Sequence, residues 1–277
     1  MQASASQVKA LRDRTGAGMM DCKGALEETG GDLEKAVDFL RKKGMASTAK
    51  RAGHEAREGL VAIRSHAHTA AMVEANCETD FVARTDDFRG LATLALDEVL
   101  ERGEDAVNSE KVSARVAELS GKIGERIIVR RAKVVETEGA LFSYLHSNSK
   151  LGVIIELGVT KPESKKSPAL AELGKNLAMQ VAASSPLCVD RALVPAAVLE
   201  REKAIYAEEI KGKPEAIIQK ILQGKLEKFY QGACLLEQPF ISDDKKAVRE
   251  VIAAAEKQLG DRIQVRQFVR FQLGEVV

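Results

Sequence analysis

"GLVAIRSHAHTAAMVEANCE", residues 59–78, and "GALFSYLHSNSKLGVIIELG", residues 139–158, share one spacing. Each opens on a glycine, alternates to a histidine (His66 or His146), passes a polar turn and alternates again. A period of two marks a half-buried strand, so each stretch reads as a β-hairpin. A helical pattern follows both: Phe88, Leu91, Ala95 and Val99 after the first, Leu170, Leu173, Leu177 and Val181 after the second. Further on, "IGERIIVRRAKVVE" (123–136) is echoed by "LGDRIQVRQFVRFQ" (259–272), each a glycine after a helix, opening a strand. The order hairpin, helix, helix, strand thus occurs twice, in units spanning 59–138 and 139–277. Each unit implies a three-stranded antiparallel sheet covered by helices on one face, an α+β arrangement.

Working outward, residues 1–45 read as three short helices. The first carries Val8 and Leu11 and stops at "TGAG"; the second runs from about Met20 to Glu28 and ends at Gly30-Gly31. Asp32 is the expected N-cap of the third, whose Leu33, Ala36, Val37 and Leu40 recur at helical spacing before Gly44 ends it. Such helices hide their apolar faces only against one another, as a mini-bundle. "ASTAKRAGHEARE" (46–58) has no apolar stripe and reads as a tether, partly helical, that leaves the bundle free to move. Within the second unit, about 195–232 is an insertion. Two helical runs are broken there at Lys211-Gly212-Lys213-Pro214, which fits a projecting helical hairpin. Leu199, Ile205, Ile210, Ile217, Ile221 and Leu226 give it seams to pack internally or to offer a partner.

A chain of 277 residues with a formal net charge of +1 holds about two domains and is no dedicated nucleic-acid binder. Its four cysteines (Cys22, Cys77, Cys188, Cys234) sit singly in apolar patterns, as buried thiols in a reducing cytosol do. There is no signal core and no membrane-spanning run, so a cytoplasmic protein is expected, and the lack of an Arg-rich leader favours a bacterial cytoplasm. Neither a phosphate loop nor a dinucleotide fingerprint occurs, so no nucleotide is expected to bind. His54, His66, His68 and His146 have no metal-ligand spacing, and no catalytic constellation assembles; neither metal nor cofactor is expected.

What remains is "ANCETDFVARTDDF", residues 75–88. A strand gives way at Thr79-Asp80 to an acidic turn, with Phe81 next. Thr79 or Asp80 can cap that turn, and Thr85 or Asp86 the helix beyond it, which implies a rigid kink at the strand's end. From the residues alone, Phe81 is either a core aromatic or an exposed anchor.

"LRDRTGAGMMDCKGAL" (11–26) and "TDFVAR" (79–84) together resemble the elongation factor Ts family, and "SYLHSNSKLGV", "LAMQVAAS" and "QPF" follow in the expected order. The resemblance implies a ubiquitin-associated-like N-terminal bundle, a duplicated α+β core and a helical hairpin. It implies a guanine nucleotide exchange factor, with no covalent chemistry of its own. Its partner would be elongation factor Tu, GDP-bound and nucleotide-free. On the matching positions, Thr79, Asp80, Phe81 and Val82 would enter the partner's G domain and disturb the magnesium ion that holds GDP. Arg12, Met19 and Met20 would touch the same domain, although Met19 and Met20 also suit bundle packing. His146 would face the partner's other domains. Family members carry a C-terminal helical module, and this chain, ending "FQLGEVV", is expected to lack its contact. A homodimer or two-to-two complex and a one-to-one complex all stay open. The competing readings are an interaction adaptor built on the bundle and an RNA-binding translation protein; the even charge balance argues against the latter.

Overall fold

The computed structural model describes residues 3–51, 53–210 and 214–275. At its N-terminus, α1 (Ala5–Thr15), α2 (Met19–Glu28) and α3 (Leu33–Lys50) enclose a small core of Leu11, Cys22, Ala25, Leu26 and Ala36. Local chemistry sets their boundaries. Ser4 and Gln7 close a capping box on α1, Gly16 ends it in the left-handed region, and the Asp32 carboxylate accepts the N–H groups of Glu34 and Lys35. The third helix does not stop at Gly44 but continues to Lys50. Gly44 lies against α6 (Glu110–Ile123), where a Cβ would sit 3.0 Å from the Ala117 carbonyl oxygen, and a Cβ at Gly121 would sit 3.1 Å from Gly44 Cα. That glycine is therefore a close-packing position: two backbones approach where side chains would hold them apart. The bundle is docked on the first unit through this contact, rather than detached from it.

The duplication appears as two three-stranded antiparallel sheets. In the first, β2 (Thr69–Cys77) lies between β1 (Glu58–Ser65) and β3 (Ile128–Glu136); in the second, β5 (Leu151–Val159) lies between β4 (Ala140–Leu145) and β8 (Ile263–Gln272). The short α4 (Asp80–Ala83), α5 (Asp86–Arg102) and α6 cover one face of the first sheet. On the second sheet that role falls to α7 (Pro168–Ser184) and α10 (Val248–Leu259). The inserted hairpin is α8 (Ala196–Glu209) and α9 (Glu215–Ala233), and a small pair, β6 (Pro239–Phe240) with β7 (Asp243–Ala247), precedes α10. Lys211, Gly212 and Lys213, where the break in the insertion was expected, lie outside the described residues; Pro214 is the N-cap of α9. Ile210 is buried, whereas Ile205 and Ile217 are exposed, so the hairpin packs its seams only in part.

The two sheets also face each other. Val61, Ala70, Met72 and Val135 from the first meet Ile154 and Phe271 from the second, and a Cβ on Gly152 would collide with Val61, Ile63 and Met72. This contact explains why β2 is buried from Ala70 to Cys77 on both faces, where alternation predicted one. The sheets form the middle two layers of a four-layer stack. Each unit repeats one irregularity: the register slips between Glu74 and Ala75 of β2, leaving Arg130 as a bulge in β3, and between Glu156 and Leu157 of β5, leaving Arg266 as a bulge in β8. On the other side of the central strand, level with each register slip, stands the opening glycine of the unit. A Cβ there would lie 2.0 Å from the Ala75 oxygen at Gly59 and 2.6 Å from the Leu157 oxygen at Gly139.

Candidate functional site

The strand β2 ends in a turn whose residues are divided sharply between core and solvent. Val82 is buried in the cluster under α5, while the next residue back, Phe81, is 79 % exposed. An exposed phenylalanine of this kind carries a large apolar payload that the described residues leave mostly uncovered. Its position does not come from looseness. The Thr79 hydroxyl caps α4 by accepting the Val82 N–H, and the Thr85 hydroxyl caps α5 by accepting the Phe88 N–H at 3.3 Å while donating to the Val82 carbonyl at 2.8 Å. Asp80 and Arg84, one helical turn apart, form an ion pair at 2.6 Å.

The strongest restraint comes from a residue remote in sequence. The Glu125 carboxylate accepts three hydrogen bonds from the strand end: the N–H groups of Glu78 and Thr79 at 3.1 and 3.0 Å, and the Thr79 hydroxyl at 2.6 Å. Glu78 returns the favour: its carboxylate accepts the Arg126 N–H at 2.7 Å and bonds His54 Nδ1 at 2.9 Å. The Arg126 N–H bond leads the causes, with His54 also contributing, that hold the Glu78 carboxyl below its usual range. Arg126 also donates to the His54 carbonyl, so the segment after α3 is tied to the base of this turn. Cys77 lies beneath, buried, its thiol donating to the Thr79 carbonyl; burial, with the nearby charges of Glu125 and Glu58, pushes that thiol up to about 12. It stays protonated at neutral pH and cannot act as a nucleophile.

The remaining sequence-derived residues lie on other elements. Met19 and Met20 open α2 and are 60 % and 77 % exposed, so they are a surface pair and not bundle packing. Arg12 is exposed on the last turn of α1. His146 follows β4 at the tip of the second hairpin, exposed, its Nδ1 2.8 Å from the Tyr144 hydroxyl. A cleft of about 640 Å³ between the bundle and α6 is lined by neither the 79–82 turn nor Met19 and Met20. Phe81, Met19, Met20 and His146 are thus exposed side chains on separate elements. Among the described residues no group of His, Cys, Asp and Glu could hold a metal ion, and no helix is long and apolar enough to cross a membrane.

Comparison with known proteins decides the family. The family model described as Elongation factor TS matches residues 78–275. The chain belongs to the elongation factor Ts family. Curated relatives named Elongation factor Ts include one from Prosthecochloris aestuarii, 48% identical over 99% of both chains. Others come from Chlorobium phaeobacteroides, at 46% over 99% of both, and from Nitratidesulfovibrio vulgaris, at 42% over 99% of this chain and 97% of the relative. The N-terminal helices, the paired antiparallel sheets and the helical insertion thus form an elongation factor Ts fold, and the chain is a translation elongation factor. Glu125, unlike the 79–82 turn, is not singled out by its residue type or spacing. The signal was present in the echo of Gly124-Glu125-Arg126 and Gly260-Asp261-Arg262, which repeats an acid and not only a glycine.

Proposed function

We propose that this chain promotes release of GDP from elongation factor Tu, with the turn Thr79–Val82 entering beside the nucleotide and its magnesium ion. The observation that carries the reading is the outward Phe81 ring on a turn whose backbone is held by hydrogen bonds. Val82 serves as the anchor of the turn, Asp80 and Thr79 set its direction, and Phe81 is the part that enters. Met19 and Met20, with Arg12, supply a second contact on the G domain, and His146 a contact from the second unit; adaptable, exposed methionines suit such a surface. The proposed setting is the cytoplasm, and no chemical bond is made or broken by the exchange factor.

The energetics follow from linkage. A protein that binds nucleotide-free partner more tightly than GDP-bound partner loosens GDP by the same factor by which GDP loosens it. A thousandfold acceleration corresponds to about 4 kcal/mol. Burying one phenylalanine contributes only about 1.5–3 kcal/mol, so Phe81 acts within a broader interface to which the bundle and second unit contribute. The test is dissociation of fluorescent GDP from elongation factor Tu in stopped flow. Phe81→Ala is expected to slow release at saturating exchange factor by about 10- to 100-fold with circular dichroism and thermal unfolding unchanged. An unchanged rate removes Phe81 from the mechanism.

A further inference from the structure

The Phe81 ring projects from the end of a strand, on a turn that its own neighbours cap and that a distant residue also holds. An exposed side chain on a loose turn loses freedom when it is buried in a partner, and that loss is subtracted from the binding energy. Here the backbone part of that loss is met before binding. Three hydrogen bonds converge on the Glu125 carboxylate from Glu78 and Thr79, the two residues that lead into the turn. Bonds to a charged acceptor are the stronger kind. Glu125 is itself fixed on both sides: Gly124 ends α6 in the left-handed region, and Ile127 is fully buried with its N–H donating to the Ser120 hydroxyl at 3.3 Å.

We propose that Glu125 is the positioning residue of the exchange turn, holding Phe81 in the attitude in which it enters the partner. The inference rests on the reading that Phe81 enters the partner, and adds to it the group that aims the ring.

The second unit supplies an internal control. Asp261 follows the left-handed Gly260 that ends α10 and accepts the N–H groups of Thr160 and Lys161 at 3.2 and 2.9 Å, together with the Thr160 hydroxyl. The clamp is thus the same, but the turn beyond it reads Pro162-Glu163-Ser164, with Glu163 exposed and Ser164 buried where the first unit has Phe81 and Val82. A clamp that only secures the fold acts alike in both units; one that aims a wedge matters for exchange in the first unit alone.

The experiment measures GDP release from elongation factor Tu against exchange-factor concentration for Glu125→Ala, Glu125→Gln, Asp261→Ala and Phe81→Ala. Glu125→Ala is expected to lower the saturating rate about tenfold while the half-saturating concentration stays near wild type. Glu125→Gln is expected to restore most of the rate, because its amide oxygen still accepts the two N–H groups. Asp261→Ala is expected to lower the unfolding temperature and leave the saturating rate unchanged. If Glu125→Ala does not fold, Glu125→Asp keeps the charge, withdraws the carboxylate by one methylene, and carries the same expectation of a lowered rate. A slow Phe81→Ala beside a wild-type rate for the Glu125 variants overturns the positioning role alone. Equal losses from the Glu125 and Asp261 variants, or a shift confined to half-saturation, also overturn it. A Phe81→Ala rate equal to wild type overturns the wedge reading itself and the positioning role with it.

Discussion

The two units of the core are built alike and finished differently. Both open on a glycine facing a carbonyl of the central strand where its register slips, both bury a glutamate at that slip (Glu74 and Glu156), and both clamp the end of the central strand with an acid that follows a helix. Both start the next long helix on a capping hydroxyl, Thr85 for α5 and Ser167 for α7. They part at the exposed turn. The first presents Phe81 to solvent; the second presents a lysine-rich 3-10 turn, Pro162–Lys166, and carries the helical insertion instead. What is shared is therefore what the sheet and its caps require, and what differs is what the surface offers to another molecule. Duplication copied the mount, and the two tips diverged without cost to the core, because an exposed tip residue makes few packing contacts.

The largest effects should come from breaking the shared hardware, and they should be unequal. Gly59 sits at φ +141 with the Ala75 oxygen 2.0 Å from any added Cβ, whereas Gly139 has the looser 2.6 Å contact and no positive φ. Gly59→Ala is expected to cost roughly 3–5 kcal/mol, combining strain with overpacking, and Gly139→Ala roughly 1–3 kcal/mol from overpacking alone. Urea unfolding of both variants checks the order; equal losses would mean that the positive φ and closer contact at Gly59 add no cost of their own.

A smaller effect depends on pH and concerns Asp261. Burial acts to raise the Asp261 carboxyl, but hydrogen bonds from the Thr160 and Ser164 hydroxyls and from the N–H groups of Lys161 and Arg262 outweigh it and hold the group below the usual carboxylate range. A depressed carboxyl contributes stability that is present above its unfolded value, about pH 4, and is lost as pH falls through the folded one. Asp261→Asn is accordingly expected to be less stable than wild type at pH 6 and to lose less on acidification from pH 4 downward. Urea midpoints between pH 6 and pH 2 give the comparison; parallel curves would show that Asp261 is not the group responsible.

The smallest effect concerns Cys77, which stands where the second unit has Val159. With its thiol pushed up to about 12, chiefly by burial, it should resist iodoacetamide at pH 8 in the native protein and react on unfolding. Rapid native modification would show that the strand end opens, and would weaken the case for a rigid mount.

Most of the architecture was legible in the residues because it rests on short-range patterns. Period-two alternation marked both hairpins, helical spacing marked α5 and α7, and every one of Phe88, Leu91, Ala95, Val99, Leu170, Leu173, Leu177 and Val181 is buried as that spacing implies. The misreading of Gly44 has a plain cause. Glycine ends helices and also lets helices touch, and only the presence of Gly121 and Ala117 across the contact selects the second use. Burial of both faces of β2 was likewise illegible, since the covering sheet comes from the other unit.

Local sequence settled most of the elements and their caps, because each depends on residues a few positions apart, and the echo between 59–78 and 139–158 showed the duplication. Tertiary structure alone settled that Phe81 faces solvent and Val82 the core. In a turn of four residues no periodicity assigns an inside, and the position of the core assigns it instead. It also brought Glu125 to the end of β2 from the far side of α4, α5 and α6, since a carboxylate reaches backbone N–H groups distant in sequence only after the sheet has closed.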